Sequence, residues 1–343
     1  WDLSRRVKVS EELTAAFDEG VDGLLERLSS SETEEAEEFL SSWDDFLFEF
    51  GCRGPNEYEI FSDTWETRPA IALALLDRIR LQSDDEDPAG RHKVIAESRI
   101  STINEVREKL AALGNEELTG TFEASLNAGN IMVFQERTKT NYIRVVNEIR
   151  VVFEELGKRA VLEGSLGDHK HIYMLKDDEL ETFVADRGAM RSTLETRYAD
   201  YLELQELEPP FFIKDGVVPP LSSYKRLGSS GVSEAESGDV LVGVAGSPGV
   251  VQGTARVILD PTEPGDLEPG EILIAPLTDP SWTPLFMAAS AVVVNVGGQR
   301  SHAVVVSREL GLPCVASVTD ATLRIPNGAQ IEVNGTTGEV TLV

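Results

Sequence analysis

The residues with the clearest chemical potential are Gly297-Gly298-Gln299-Arg300-Ser301-His302. An apolar run over 291–296 leads into them and a helical pattern follows as far as Leu310, so the stretch reads strand, tight turn, helix. The paired glycines Gly297 and Gly298 are expected to adopt positive φ and bring the backbone close to a ligand. Ser301 is placed to cap the helix, which puts His302 in its first turn. Unpaired N–H groups and the helix dipole favour an anion there. A neutral imidazole can attack phosphorus without prior deprotonation. The resulting phosphoryl group would rest against those donors, with Arg300 beside it to pair with its oxygens. A lone histidine near a helix start is more often a capping or packing residue, so the surrounding pattern has to decide.

The elements around this segment divide the chain in three. Residues 1–206 read as a mainly α-helical domain. Ser10 and Thr33 start helices, and Gly51 stops the second after an aromatic-rich face that includes Phe39, Trp43, Phe46 and Phe50. Further helical patterns cover 70–82, 91–113, 116–134, 136–163 and 178–205, with 172–175 a short strand or an extended connection. Residues 207–239 read as a linker: Pro209-Pro210 and Pro219-Pro220 stiffen its first half, and Ser229-Ser230-Gly231 loosens its second. Residues 240–343 read as a compact β/α domain. Its strands are expected at 240–245, 252–259, 271–275, 291–296, 314–318, 329–334 and 338–343. One helix starts at Asp279-Pro280 and another runs from Ser301 to Leu310, closed by Gly311 and Pro313. The fold class is therefore α+β and multidomain.

Residues 243–343 resemble the swivelling phosphohistidine domain of the phosphoenolpyruvate-utilising enzymes. The resemblance rests on Gly246-Ser247-Pro248-Gly249-Val250-Val251-Gln252-Gly253, on Asp279-Pro280-Ser281-Trp282-Thr283-Pro284, and on Gly297-Gly298-x-x-Ser301-His302-Ala303. It continues through Ser307-Arg308-Glu309-Leu310-Gly311-Leu312-Pro313 to Asn334-Gly335-x-x-Gly338. Val304 and Ser307 stand where alanine is common in that family. The resemblance implies that His302 accepts the β-phosphoryl of ATP, with release of AMP and phosphate, and passes it on. It also implies a phosphoryl-stabilising role for Gly297, Gly298, Arg300 and Ser301.

A weaker resemblance covers the helical part. Gly51-Cys52-Arg53-Gly54-Pro55-Asn56-Glu57-Tyr58-Glu59, with Arg137, Lys139, Asn141, Arg144 and Arg150, is similar to the acceptor region of rifamycin phosphotransferases and aryl-phosphate synthases. Gln135 stands where that group often has arginine. The resemblance implies an acceptor site formed by Arg53, Glu57, Arg137, Lys139 and Arg144, whose cations would neutralise the phosphoryl group as it crosses. A solvated face pairing these cations with Glu136 and Glu148 is the competing reading.

The function expected is transfer of phosphoryl from ATP, through phosphohistidine, to the hydroxyl of a small molecule. A phenolic acceptor comes first; a rifamycin-type antibiotic, a phosphoenolpyruvate synthase-like reaction and a non-enzymatic phosphocarrier subunit are the alternatives. No Gly-x-x-x-x-Gly-Lys-Ser/Thr loop occurs in the sequence, so ATP and Mg²⁺ are expected to bind mainly outside this chain, on an upstream domain or a partner subunit. The start at Trp1 is read as that of a fragment. Sixty acidic residues against 31 Lys and Arg, a formal charge of −29, argue against nucleic acid and anionic membranes as partners. A salt-adapted source and a merely acidic mesophilic one both fit that charge. Two distant cysteines, Cys52 and Cys314, and no signal-peptide pattern suit a reducing cytoplasm. No metal site is expected: His92 and the Asp168-His169-Lys170-His171 segment lack metal-ligand spacing, and the latter reads as a solvated loop.

Overall fold

The computed structural model describes residues 1–210, 212–226, 231–261 and 267–343, with side chains except at 86, 130, 132, 133, 135 and 136. Gln135 and Glu136 therefore have no described side chain, and 227–230 of the expected linker lie outside the described residues. Packing groups the chain into two compact units. One comprises Trp1–Glu57, Ser62–Arg144 and Glu234–Val343; the other comprises Tyr58–Phe61 and Val145–Ser233.

In the first unit some of the helices begin where a short polar side chain satisfies an N–H group of the first turn. Ser10 accepts from Leu13 N at 3.2 Å to start Glu11–Asp18, and Thr33 accepts from Ala36 N at 3.4 Å to start Glu34–Phe50. The aromatic face of Glu34–Phe50 turns inward: Phe39 stacks on Trp43, and Phe46 bridges Trp43 and Trp65. Helix Pro69–Arg80 completes this layer. Asp87 and Pro88 then start the long helix Pro88–Leu113, which Gly114 ends in the left-handed conformation. A single helix of 47 residues, Glu116–Leu162, replaces the two expected over 116–134 and 136–163. No proline or capping group separates those patterns, so propagation continues through them.

The C-terminal residues form one mixed sheet. Its strands are β1 (Val240–Val242), β2 (Val244–Ser247), β3 (Val250–Val257), β4 (Ile272–Ala275), β5 (Ala291–Val294), β6 (Cys314–Ala316), β7 (Gln330–Asn334) and β8 (Glu339–Leu342). They run in the order β1-β8-β7-β3-β4-β5-β6-β2. The four strands β3-β4-β5-β6 are mutually parallel and the other pairings antiparallel. The strand expected over 240–245 is broken at Gly243, where a Cβ would collide with the carbonyl oxygen of Ala316. One residue thus separates β1 from β2, which stand at opposite ends of the strand order, so the sheet curls until its two edges meet. Both faces of the parallel strands are buried. Ile272, Ile274, Ala291, Val293 and Val315 face the core inside the curl, while Leu273, Ala275, Val292, Val294, Cys314 and Ala316 face the helices. Double-sided burial explains why these strands read as continuous apolar runs.

The second unit has its own core of Ala160, Leu166, Ile172, Phe183 and Leu194. Residues 172–175 form neither strand nor extended connection: His169–Met174 is a 3₁₀ turn capped by Asp168, which accepts from Lys170 N at 2.7 Å. That segment is half-buried rather than solvated, and His169 Nε2 pairs with Glu154 at 3.0 Å. The linker expectation also changes locally, because Leu207–Glu208 pairs antiparallel with Lys225–Arg226. The proline pairs stand between those two short strands, where their missing N–H groups cost no ladder hydrogen bond.

Candidate functional site

The helix His302–Leu310 follows β5 through the 297–301 turn, and Ser301 occupies its N-cap position in an extended conformation. The expected cap bond does not form, and the Ser301 hydroxyl is buried with no hydrogen-bond partner among the described residues. Neither Gly297 nor Gly298 adopts the expected positive φ. Gly297 is needed for space instead: a Cβ there would stand 2.9 Å from Ser301 Oγ and 3.2 Å from Val294 Cγ2. A Cβ on Gly298 would meet open space. The turn is tied by Arg308, which donates to Gly246 O at 2.9 Å and to Gln299 O at 3.2 Å. Arg300 is exposed beside it.

The His302 ring is half-buried and held on three sides. Nδ1 stands 3.1 Å from Thr278 Oγ1, Nε2 stands 3.4 Å from Thr283 Oγ1, and Phe286 presents its ring at 83° with centroids 5.7 Å apart. Burial lowers the imidazole pKa to about 4; Lys139 pushes the same way and Asp279 opposes. The ring is accordingly neutral at physiological pH. Thr278, Thr283, Phe286 and Arg308 were not singled out as site residues from sequence. Thr283 and Arg308 fall inside the quoted motifs and Thr278 immediately precedes one, which was the signal available.

Segment 278–288 positions these groups. Asp279 caps the turn Pro280–Trp282 by accepting from Ser281 N at 2.8 Å, and Pro280 at its first position has no N–H to lose. The turn continues into helix Thr283–Ala288. The second carboxylate oxygen of Asp279 accepts from Asn56 N at 3.1 Å.

The residues expected at the acceptor site do not all come together. Arg53, Glu57 and Lys139 converge. Arg53 Nη1 donates to both Glu57 oxygens at 2.9 and 3.0 Å, Arg53 Nη2 donates to Thr140 Oγ1 at 3.0 Å, and Lys139 Nζ stands 3.9 Å from Glu57 Oε1. Glu57 is only 1 % exposed, so it holds these two cations. Burial raises its pKa against the pull of Arg53 and Lys139, and the charge of Asp279 adds to the rise. Lys139 and Asp279 act on both Glu57 and His302, which places this cluster and the histidine in one electrostatic neighbourhood. Arg137 is exposed; Arg144 donates to Glu49 O at 3.2 Å and, like Arg53 and Glu57, acts on the buried Cys52 thiol, which places it at the edge of the same cluster. Arg150 belongs to the second unit, buried against Glu59 O, Ile60 O and Asn147 Oδ1 as a packing residue. Among the described residues no three His, Cys, Asp or Glu side chains stand together as metal ligands, and no helix is long and apolar enough to cross a membrane.

Residues 267–338 match the mobile domain of PEP-utilising enzymes, and residues 1–129 match the fourth domain of rifampicin phosphotransferase. The chain belongs to the phosphoenolpyruvate-utilising enzyme family. Rifampicin phosphotransferase of a Streptomyces species is 32 % identical over 359 residues, covering all of this chain and 39 % of that protein. The Bacillus subtilis protein of the same name is 31 % identical over 86 % of this chain and 34 % of its own length. The uncharacterised phosphotransferase YvkC of B. subtilis is 26 % identical over this whole chain and 41 % of its length. This member of the family therefore spans less than half the length of these relatives.

Proposed function

We propose that this chain carries the phosphohistidine and part of the acceptor site of a phosphotransferase that moves phosphoryl from ATP to the hydroxyl of a small molecule. The observation that carries the reading is the neutral, hydrogen-bonded His302 ring in the first helical turn, within the electrostatic reach of Lys139. In the tautomer that donates Nδ1–H to Thr278, Nε2, 3.4 Å from Thr283 Oγ1, keeps the lone pair that attacks the β-phosphorus of ATP. The bond between the α- and β-phosphoryl groups breaks, AMP leaves, and water removes the γ-phosphoryl as phosphate. The phosphoryl oxygens then face the N–H groups of the first turn, with Arg300 exposed nearby. In the second step the acceptor oxygen attacks that phosphorus, the P–N bond breaks with its electron pair returning to Nε2, and the hydroxyl proton is released to solvent. Lys139 and Arg53, fixed by Glu57, offset the negative charge that develops.

ATP and its Mg²⁺ bind, in this reading, on residues outside this chain. Calorimetry of the 343-residue chain with Mg·ATP tests that part, and micromolar binding would overturn it. The relatives named rifampicin phosphotransferase favour a rifamycin-type acceptor. The aromatic-walled cavity of about 450 Å³ beside Trp43, Phe46, Trp65, Pro284 and Met287 is lined by neither His302 nor Arg53, Glu57 or Lys139, so it does not select a phenolic acceptor. The deciding experiment supplies the ATP-binding domain or subunit and follows AMP release with phenols, a rifamycin and pyruvate. AMP formed in step with a phosphorylated phenol or rifamycin supports the reading. AMP formed in step with phosphoenolpyruvate selects a synthase-like reaction, and phosphate that passes only to a second protein selects a phosphocarrier.

A further inference from the structure

Segment 278–288 has two working sides. One side holds the histidine, through Thr278 Oγ1, Thr283 Oγ1 and the Phe286 ring. The other side faces the N-terminal helices of the same compact unit. There Asp279 accepts from Asn56 N, Gln82 Nε2 donates to the carbonyl oxygen of Met287, and Pro284 and Met287 line the aromatic cavity. Helix Thr283–Ala288 also packs on helix Pro69–Arg80, and its Leu285 and Phe286 belong to the same hydrophobic core as Leu73 and Leu76. The polar docking bonds and the walls of the imidazole are thus carried by one stretch of eleven consecutive positions.

That economy has a consequence for the reaction. A histidine that collects phosphoryl from ATP and delivers it to an acceptor must meet two sites, so the delivering arrangement has to be recognised by contacts that can break. Asp279 suits this task because it serves two partners at once. Oδ1 caps its own turn through Ser281 N, and Oδ2 reaches across to Asn56 N. Asn56 has φ +52, so its N–H is presented from a left-handed bend. The bend also leads directly into Glu57, the carboxylate that holds Arg53 and Lys139. One hydrogen bond therefore fixes the histidine's segment to the loop that orders the cations.

We propose that Asp279 is a positioning residue: with Gln82 it latches segment 278–288 onto the N-terminal helices, so that His302 faces Lys139 only while the latch is closed. The proposal rests on the phosphohistidine reading, and its test separates the two. Asp279→Asn preserves the cap, because asparagine is as good an N-cap as aspartate, but it presents an NH₂ group toward Asn56 N–H. Two donors then meet and the latch opens. Gln82→Leu removes the second bond without altering any charge.

The readout is the titration of the His302 ring, followed by NMR in the 343-residue chain. Loss of the Asp279 charge alone would lower the ring pKa further, since that charge now raises it. Opening the latch instead rehydrates the ring and removes it from Lys139, so its pKa climbs from about 4 toward the ordinary 6.5. A rise in Asp279→Asn is the expected result, and a fall or no change overturns the latch. Should Asp279→Asn fail to fold, Gln82→Leu decides by the same criterion. Labelling with phosphoramidate, which needs no ATP site, tests the phosphohistidine separately. A latch that fails while His302 still takes up phosphate leaves the phosphotransfer reading standing.

Discussion

Thr278 Oγ1 stands 3.1 Å from Nδ1 of His302, and the two residues meet across a strand–turn–helix unit from positions 24 residues apart. A hydroxyl there can accept the Nδ1 proton and hold the tautomer that leaves Nε2 unprotonated. Thr278→Val keeps the shape of the side chain and removes the acceptor. Phosphohistidine formation with phosphoramidate is expected to slow on the order of 10-fold, the lower end of the effect of removing a group that orients a functional histidine. An unchanged labelling rate would mean that the tautomer is set without Thr278.

The depressed pKa of His302 fixes the sign of a pH profile. Burial lowers the value to about 4, so the ring stays unprotonated throughout the neutral range. Labelling should be flat from about pH 6 upward and fall only as the pH approaches 4, allowing for the intrinsic pH dependence of the reagent. The stability contribution runs the same way. The unfolded ring binds its proton near 6.5 and the folded ring near 4, so stability is retained above 6.5 and lost as pH falls through that window. His302→Ala should abolish the label and remove this part of the acid sensitivity, both measurable on one preparation. Label that persists in that variant at His169 or His171 would end the assignment of His302.

The helix His302–Leu310 was legible because its signals are local. A β-branched run, two glycines, a serine and a histidine, closed by Gly311 and Pro313, specify strand, turn and helix without reference to the rest of the chain. The reasons for individual residues were less legible. Gly297 is required by the approach of Ser301, Val294 and Ala316, two of them outside the turn, so its tertiary role could not be separated in advance from a positive φ. Periodicity likewise found helices at both ends of Glu116–Leu162 but could not show that they join, since continuity has no local marker. The cation cluster was recognisable only in part. Lys139 and Arg53 converge because Glu57, 82 positions before Lys139, is buried between them, and no spacing rule reports such a contact.

In the proposed mechanism Lys139 acts on delivery from the histidine and not on its loading. Its ammonium lowers the His302 pKa and pairs with Glu57 at 3.9 Å. Lys139→Met should raise the ring pKa, because one cation is lost, and leave phosphoramidate labelling intact at neutral pH. Transfer from the labelled histidine to an acceptor should fall about 100-fold, the usual cost of removing one transition-state charge partner. Glu57→Gln should act more through stability: Arg53 keeps one acceptor but loses the charge that holds it, at a cost of about 1–3 kcal/mol seen as a lower Tm. Equal losses in labelling and transfer for Lys139→Met would place its role before the delivery step.

The two glycines of the turn make a paired test, since they are adjacent and face different surroundings. Gly297 has no positive φ to protect, but an added methyl would press on Ser301 Oγ at 2.9 Å, Val294 Cγ2 at 3.2 Å and Ala316 Cβ at 3.3 Å. Ser301 immediately precedes His302, so relief of that clash displaces the start of the helix. Gly297→Ala is therefore expected to cost about 1–3 kcal/mol, the usual range for overpacking, and to shift the His302 ring signals in the NMR spectrum. Gly298→Ala adds its methyl to open space and has no left-handed conformation to disturb, so its Tm should stay within a few degrees of the parent. Its effect should appear only after phosphorylation, if the phosphoryl group occupies that space: slower labelling with an unperturbed free ring. Equal Tm values for the two variants would show that the turn yields freely, and that Gly297 is not what holds the helix start in place.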